Sequence, residues 1–122
     1  MAHTAYVLSP ESRVAILKRF PPKFSDVICH HVTERFGVPE SKKFMPAPAE
    51  IIVVGYACDA SLEALVVTVN GTTVRPDGMV YHITLSLERS EGRKPVDSNR
   101  LIASAGWGTV SPLTIDVLPQ IR

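Results

Sequence analysis

The stretch Ile51-Ile52-Val53-Val54-Gly55-Tyr56-Ala57, the polar link Cys58-Asp59-Ala60-Ser61, and Leu62-Glu63-Ala64-Leu65-Val66-Val67-Thr68-Val69-Asn70 set two segments rich in Val and Ile back to back. Branched side chains are stiff and pack well on a pleated surface, so both segments predict strands. A link this short joins strands only as antiparallel neighbours. Asn70-Gly71 then marks a turn, and Arg75-Pro76-Asp77-Gly78 a second one. That second turn delivers the chain into Val80-Tyr81-His82-Ile83-Thr84-Leu85-Ser86-Leu87, another strand-like run.

Working outward in both directions extends the pattern. Residues 5–8 read as a short strand closed by Ser9-Pro10, where Ser9 caps a helix and Pro10 takes its first position. Val14, Ile16 and Leu17 supply the buried side of that helix, which ends at Phe20-Pro21-Pro22. Residues 27–36 predict one strand stopped by Gly37-Val38-Pro39, and the proline-rich residues 40–48 a solvated loop. Residues 95–105 predict a short helix stopped by Gly106, and residues 113–118 a last strand. The expected fold class is α+β, a largely antiparallel sheet with a few short helices on one side. The 122 residues form a single domain, 1–122, long enough to bury a core without staples.

Composition narrows the function. Net charge is +1, with 13 Lys and Arg against 12 Asp and Glu. A protein that grips long nucleic acid through its phosphates carries a strong basic excess, so a nucleic-acid partner here is short or held at one end. Cys29 and Cys58 lie in apolar segments without metal-ligand spacing and read as buried free thiols. The start Met1-Ala2-His3-Thr4-Ala5-Tyr6 lacks the basic residues and apolar run of a signal peptide, and no segment approaches membrane-spanning length. A reducing, cytoplasmic setting with no membrane partner is expected. No Gly-x-x-x-x-Gly-Lys loop is present, and the four histidines lack metal-ligand spacing, so neither a cofactor nor a metal is expected.

Two histidines carry the chemistry. His31-Val32-Thr33 and His82-Ile83-Thr84 both place a histidine two residues before a threonine on a strand-like segment. Residues two apart share a strand face, so His82, Thr84 and Ser86 are expected together, as are Cys29, His31, Thr33 and Arg35. Opposite the latter lie His30, Val32, Glu34 and Phe36. If the two strands are neighbours in one sheet, two imidazoles and two hydroxyls converge on a phosphate-sized site. One imidazole then takes a proton from a nucleophile, a second gives one to the leaving oxygen, and the hydroxyls donate to the non-bridging oxygens. That scheme needs no metal.

At these residues the chain resembles the two-histidine (2H) phosphoesterase superfamily, the LigT-like and cyclic phosphodiesterase group, whose signature is two His-x-Thr/Ser motifs on separate strands. His30-His31-Val32-Thr33, followed by Phe36-Gly37, is similar to the first motif of phosphodiesterase domains linked to RNA repair and tRNA ligation. The resemblance implies a bilobed fold with both motifs facing a central cleft, His31 and His82 as acid and base, and Thr33 and Thr84 as phosphate-binding groups. It implies a hydrolase for 2′,3′-cyclic phosphate ends of RNA or nucleotides, giving a 2′-phosphate. Cleavage of a 2′-5′ linkage, hydrolysis of a cyclic nucleotide, and a non-catalytic module that binds RNA ends or nucleotides stay open beside it.

Other residues are assigned more loosely. Arg35 and Ser86, on the same faces as the motifs, and Trp107, between Gly106 and Gly108, are candidate substrate contacts. His30 reads as a strand residue on the opposite face, Lys42 and Lys43 as solubilising loop residues, and His3 receives no role.

Overall fold

The computed structural model describes residues 2–122. In chain order the regular elements are β1 (Ala2–Leu8), α1 (Pro10–Arg19), β2 (Asp26–Val27), β3 (His31–Val38), a 3₁₀ turn at Lys42–Phe44, β4 (Ile51–Cys58), β5 (Leu62–Val69), β6 (His82–Leu87), a 3₁₀ turn at Arg89–Glu91, α2 (Asp97–Ala105), β7 (Gly108–Ile115) and β8 (Val117–Ile121). The class is α+β, but the strands make two antiparallel sheets where one was expected. One has the order β3-β1-β8, the other β2-β6-β5-β4-β7. The β4–β5 pair forms as its sequence predicts, with Ile51 opposite Val69 and Cys58 opposite Glu63.

Local chemistry sets the helix boundaries. Ser9 accepts a hydrogen bond from the Ser12 amide at 3.1 Å, and Pro10 opens α1 without losing a needed donor. Gly106, at φ 71°, closes α2 in a conformation that favours glycine. The helices do not share one side. Ile16 of α1 joins Tyr6, Val32, Leu65, Val67, Ile83 and Leu85 in the core between the sheets. Leu101 and Ile102 of α2 cover Ala64, Val66 and Leu87 on the opposite face of the larger sheet. The strands β5 and β6 of that sheet are therefore buried on both faces, which is why β5 reads as a nearly continuous apolar run.

Two expected strands are each cut in two, and both cuts carry the chain from one sheet to the other. Residues 26–29 follow β6, where the Ile28 and Cys29 amides donate to the carbonyls of Leu85 and Thr84 at 3.0 and 2.9 Å. Cys29 then adopts φ 41°, its carbonyl accepting from Arg13 Nε at 3.1 Å, and His31 begins pairing with β1. A left-handed conformation in a non-glycine residue costs about 1–2 kcal/mol. Burial of the Cys29 side chain and these three hydrogen bonds offset it. The second crossing is Asp116, whose amide donates to Ser12 Oγ at 2.7 Å while its carbonyl accepts from the Ser9 amide at 3.0 Å. The start of α1 thus fixes the point where the predicted last strand divides. Cys58, expected buried, is exposed at the end of β4, and both cysteines are free thiols.

Candidate functional site

The crossing at Cys29 brings the two motifs together although they lie in different sheets. His31 and Thr33 of β3 and His82 and Thr84 of β6 line one pocket of about 280 Å³. His3, Phe36, Arg75, Asn99 and Arg122 also line it, as do Pro95 and Val96 before α2. No aspartate or glutamate is among the lining residues, and Arg75 and Arg122 bring guanidinium groups to it, that of Arg75 paired with Asp77.

Each motif is followed by a β-bulge, and the bulges decide what else reaches the pocket. On β3 the register slips so that Ala5 faces Thr33 while Thr4 faces Arg35, leaving Glu34 extra. A single inserted residue reverses the alternation beyond it. Phe36 consequently lines the pocket, and Arg35, expected there, lies with Glu34 beside Lys43 and Phe44. On β6 the slip leaves Leu85 extra, with Thr84 opposite Ala64 and Ser86 opposite Glu63. Ser86 is therefore turned away from His82 and Thr84. Fully buried, it donates to the Glu63 carboxylate and accepts from the Phe24 amide at 3.2 Å. Glu63, itself buried, also accepts from Tyr56 and from the Lys23 amide at 2.8 Å. Neither Arg35 nor Ser86 is a pocket residue. Trp107 is not one either, since it packs flat over Gly55, where an added Cβ would overlap its ring.

The imidazoles are oriented from behind. His82 Nδ1 lies 2.8 Å from the Val80 carbonyl oxygen, which only accepts, so Nδ1 carries a proton and Nε2 is left for the pocket. His31 Nδ1 lies 3.0 Å from His30 Nδ1, with the two rings nearly perpendicular at 80°. His30, expected on the opposite strand face, precedes β3 and backs His31 instead. Burial, then the positive charges of His30, Arg122, His3 and His82, push His31 down to about 4. Burial also lowers His82, against the opposing effect of its hydrogen bond to Val80. The free protein therefore holds His31 neutral near neutral pH.

The two threonines differ. Thr84 donates to the Pro95 carbonyl oxygen at 3.1 Å, and its oxygen lies 2.8 Å from Ser98 Oγ. Its only proton is used while that bond stands, tying β6 to the start of α2. Thr33 makes no such side-chain bond among the described residues and keeps a donor to offer.

Arg75 and His3 were not found from the sequence. Arg75, only 3% exposed, donates to both Asp77 carboxylate oxygens at 3.0 and 2.8 Å and to Asn99 Oδ1 at 3.2 Å. Its guanidinium lies 5.3 Å from the centre of the Phe36 ring, which is 54% exposed. The pairing holds the Asp77 carboxyl below its ordinary range. The signal was an arginine two residues before an aspartate in a turn. His3, at the start of β1, has its ring centre 5.9 Å from that of His31 and is anchored by backbone bonds to Arg122.

Among the described residues no group of three or more His, Cys, Asp or Glu is placed to hold a metal ion, and no helix is long and apolar enough to cross a membrane. In comparison with known proteins, no family model, curated protein or solved structure matches the chain.

Proposed function

We propose that the chain is a metal-independent phosphodiesterase that opens 2′,3′-cyclic phosphate ends of RNA or nucleotides by His/His acid–base catalysis, giving a 2′-phosphate. The observation that carries this reading is the convergence of both His-x-Thr motifs on one pocket without a carboxylate. A phosphodiester is anionic, and its ring opening needs one group to deprotonate water and one to protonate the departing ribose oxygen. His31 and His82 supply two such groups. Thr33 and Arg75 are the donors for the non-bridging oxygens, where charge grows in the transition state. Thr84 joins them once it exchanges Pro95 for the phosphate. In this reading the two sheets are two lobes and the pocket is the central cleft between them. Two free thiols suit a cytoplasmic, reducing setting.

The engaged Thr84 proton favours a second reading, a non-catalytic module that binds RNA ends. One experiment separates them. Hydrolysis of a nucleoside 2′,3′-cyclic monophosphate, and of a short RNA ending in one, is followed in chelator for wild type, His31→Ala and His82→Ala. Each substitution is expected to cost about 10²- to 10⁴-fold. Tight binding without turnover by folded wild type would select the binding module, and cleavage only of a 2′-5′ linkage would move the substrate.

A further inference from the structure

His31 and His82 are backed by different partners, and the difference bears on which does what. A carbonyl oxygen only accepts, so Val80 keeps the His82 proton on Nδ1 and leaves Nε2 a lone pair whenever that ring is neutral. His31 has an imidazole behind it, and an imidazole nitrogen both gives and accepts protons.

We propose that His30 and His31 form a proton-relay dyad that delivers the proton to the leaving oxygen, with His82 as the base. The assignment rests on the phosphodiesterase reading above. Before reaction His30 is the imidazolium and donates from Nδ1 to Nδ1 of neutral His31, whose own proton sits on Nε2 in the pocket. As the phosphorus–oxygen bond breaks, the His31 Nε2 proton passes to the departing ribose oxygen and the His30 Nδ1 proton passes to His31 Nδ1. Both rings end neutral, with His31 protonated on Nδ1. Meanwhile His82 Nε2 takes a proton from the attacking water and becomes the imidazolium. One proton has entered the pocket from His30, and the positive charge has moved from His30 to His82.

The arrangement answers an electrostatic difficulty. A general acid must hold a proton, yet the surroundings of His31 resist a positive charge there. Burial opposes it, and so do Arg122, His3 on β1 and His82 on β6. The dyad allows His31 to offer a proton without bearing the charge, which stays on His30 outside the pocket lining. Burial, Arg122 and Arg13 of α1 oppose charge on His30 too, so the dyad is charged mainly when a phosphodiester anion occupies the pocket. His30 is thus a positioning residue that acts through His31.

The test combines ¹⁵N imidazole spectra of the full chain with leaving-group dependence. His30→Ala removes the partner. His30→Asn keeps an N–H donor near the position of Nδ1 but carries no charge. Wild type and His30→Asn should show the His31 proton on Nε2, and His30→Ala should lose that preference. Both variants should lose at least about tenfold more rate on a 2′,3′-cyclic diester, whose ribose oxygen needs a proton, than on a p-nitrophenyl diester, whose phenolate does not. A wild-type His31 proton fixed on Nδ1 in the anion-bound protein, or equal losses on the two substrates, would overturn the relay alone. No turnover of either diester by folded wild type would overturn the phosphodiesterase reading and the relay with it.

Discussion

Acidification should tighten the binding of an oxyanion to the pocket, and the His30–His31 dyad should supply much of the effect, with the added charge on His30. The His31 imidazole is pushed down to about 4 and burial lowers His30 too, so an anion entering at neutral pH meets an uncharged dyad. A single negative charge about 8 Å from the charge on His30 favours the protonated dyad by about 2 kcal/mol at an effective dielectric of about 20. At about 1.4 kcal/mol per factor of ten, binding the anion strengthens the hold of the dyad on its proton about thirtyfold. The sign follows from linkage. The bound dyad takes up a proton that the free dyad does not hold, so affinity rises as pH falls below neutrality. The gain amounts to at most about thirtyfold. Dimethyl phosphate is a suitable probe because it carries one negative charge and does not titrate in this range, and NMR titration at constant ionic strength reads its affinity. In His30→Gln the slope should shrink to what His3, His31 and His82 provide. A flat response in wild type, or an equal slope in the variant, would refute the reasoning.

The bulges and the Arg75 clamp make further predictions. Arg75→Gln should lower kcat/KM for the cyclic diester by about a hundredfold, and Arg75→Lys should not restore it, because the guanidinium fork is held by Asp77 and Asn99 together; Arg35→Ala should change it less than about twofold. Ser86→Ala should destabilise the fold by about 1–3 kcal/mol in denaturant melts, by withdrawing a hydrogen bond from buried Glu63, while the specific activity of folded protein is unchanged. Gly55→Ala should cost about 1–3 kcal/mol by displacing the Trp107 ring, and the cost should largely vanish in a Trp107→Ala background.

The sequence was most informative where local chemistry alone decides the outcome. Ser9-Pro10 starts a helix and Gly106 ends one because capping is a matter of the nearest few atoms. The β4–β5 pair follows from two branched runs and a link too short for anything else. The two His-x-Thr tripeptides could be read for a similar reason, since a histidine and a threonine two apart on a strand face the same way whatever the strand pairs with. That alternation reaches only as far as the next bulge. Arg35 and Ser86 each lie two residues past a threonine and were expected beside it, but the slips at Glu34 and Leu85 turn both away.

What composition and periodicity do not encode is the change of partner. Residues 27–36 look like one strand, and 113–118 like another, because nothing in either run marks where the chain leaves one sheet for the other. Cys29 is the cost of that departure, a non-glycine residue held at positive φ by backbone bonds that come from α1 and β6. The same crossing produces the site. Had residues 27–36 stayed beside β6 throughout, His31 would stand in the sheet of His82, and its Nδ1 would face a strand neighbour. Crossing at Cys29 moves His30 from the side of β6 to that of β1, where its carbonyl accepts from the Leu8 amide at 2.9 Å, sets its ring behind His31, and lets a strand from the smaller sheet form the opposite wall of the pocket. Long-range pairing thus decides which residues stand behind the two imidazoles, a carbonyl oxygen behind His82 and a second imidazole behind His31.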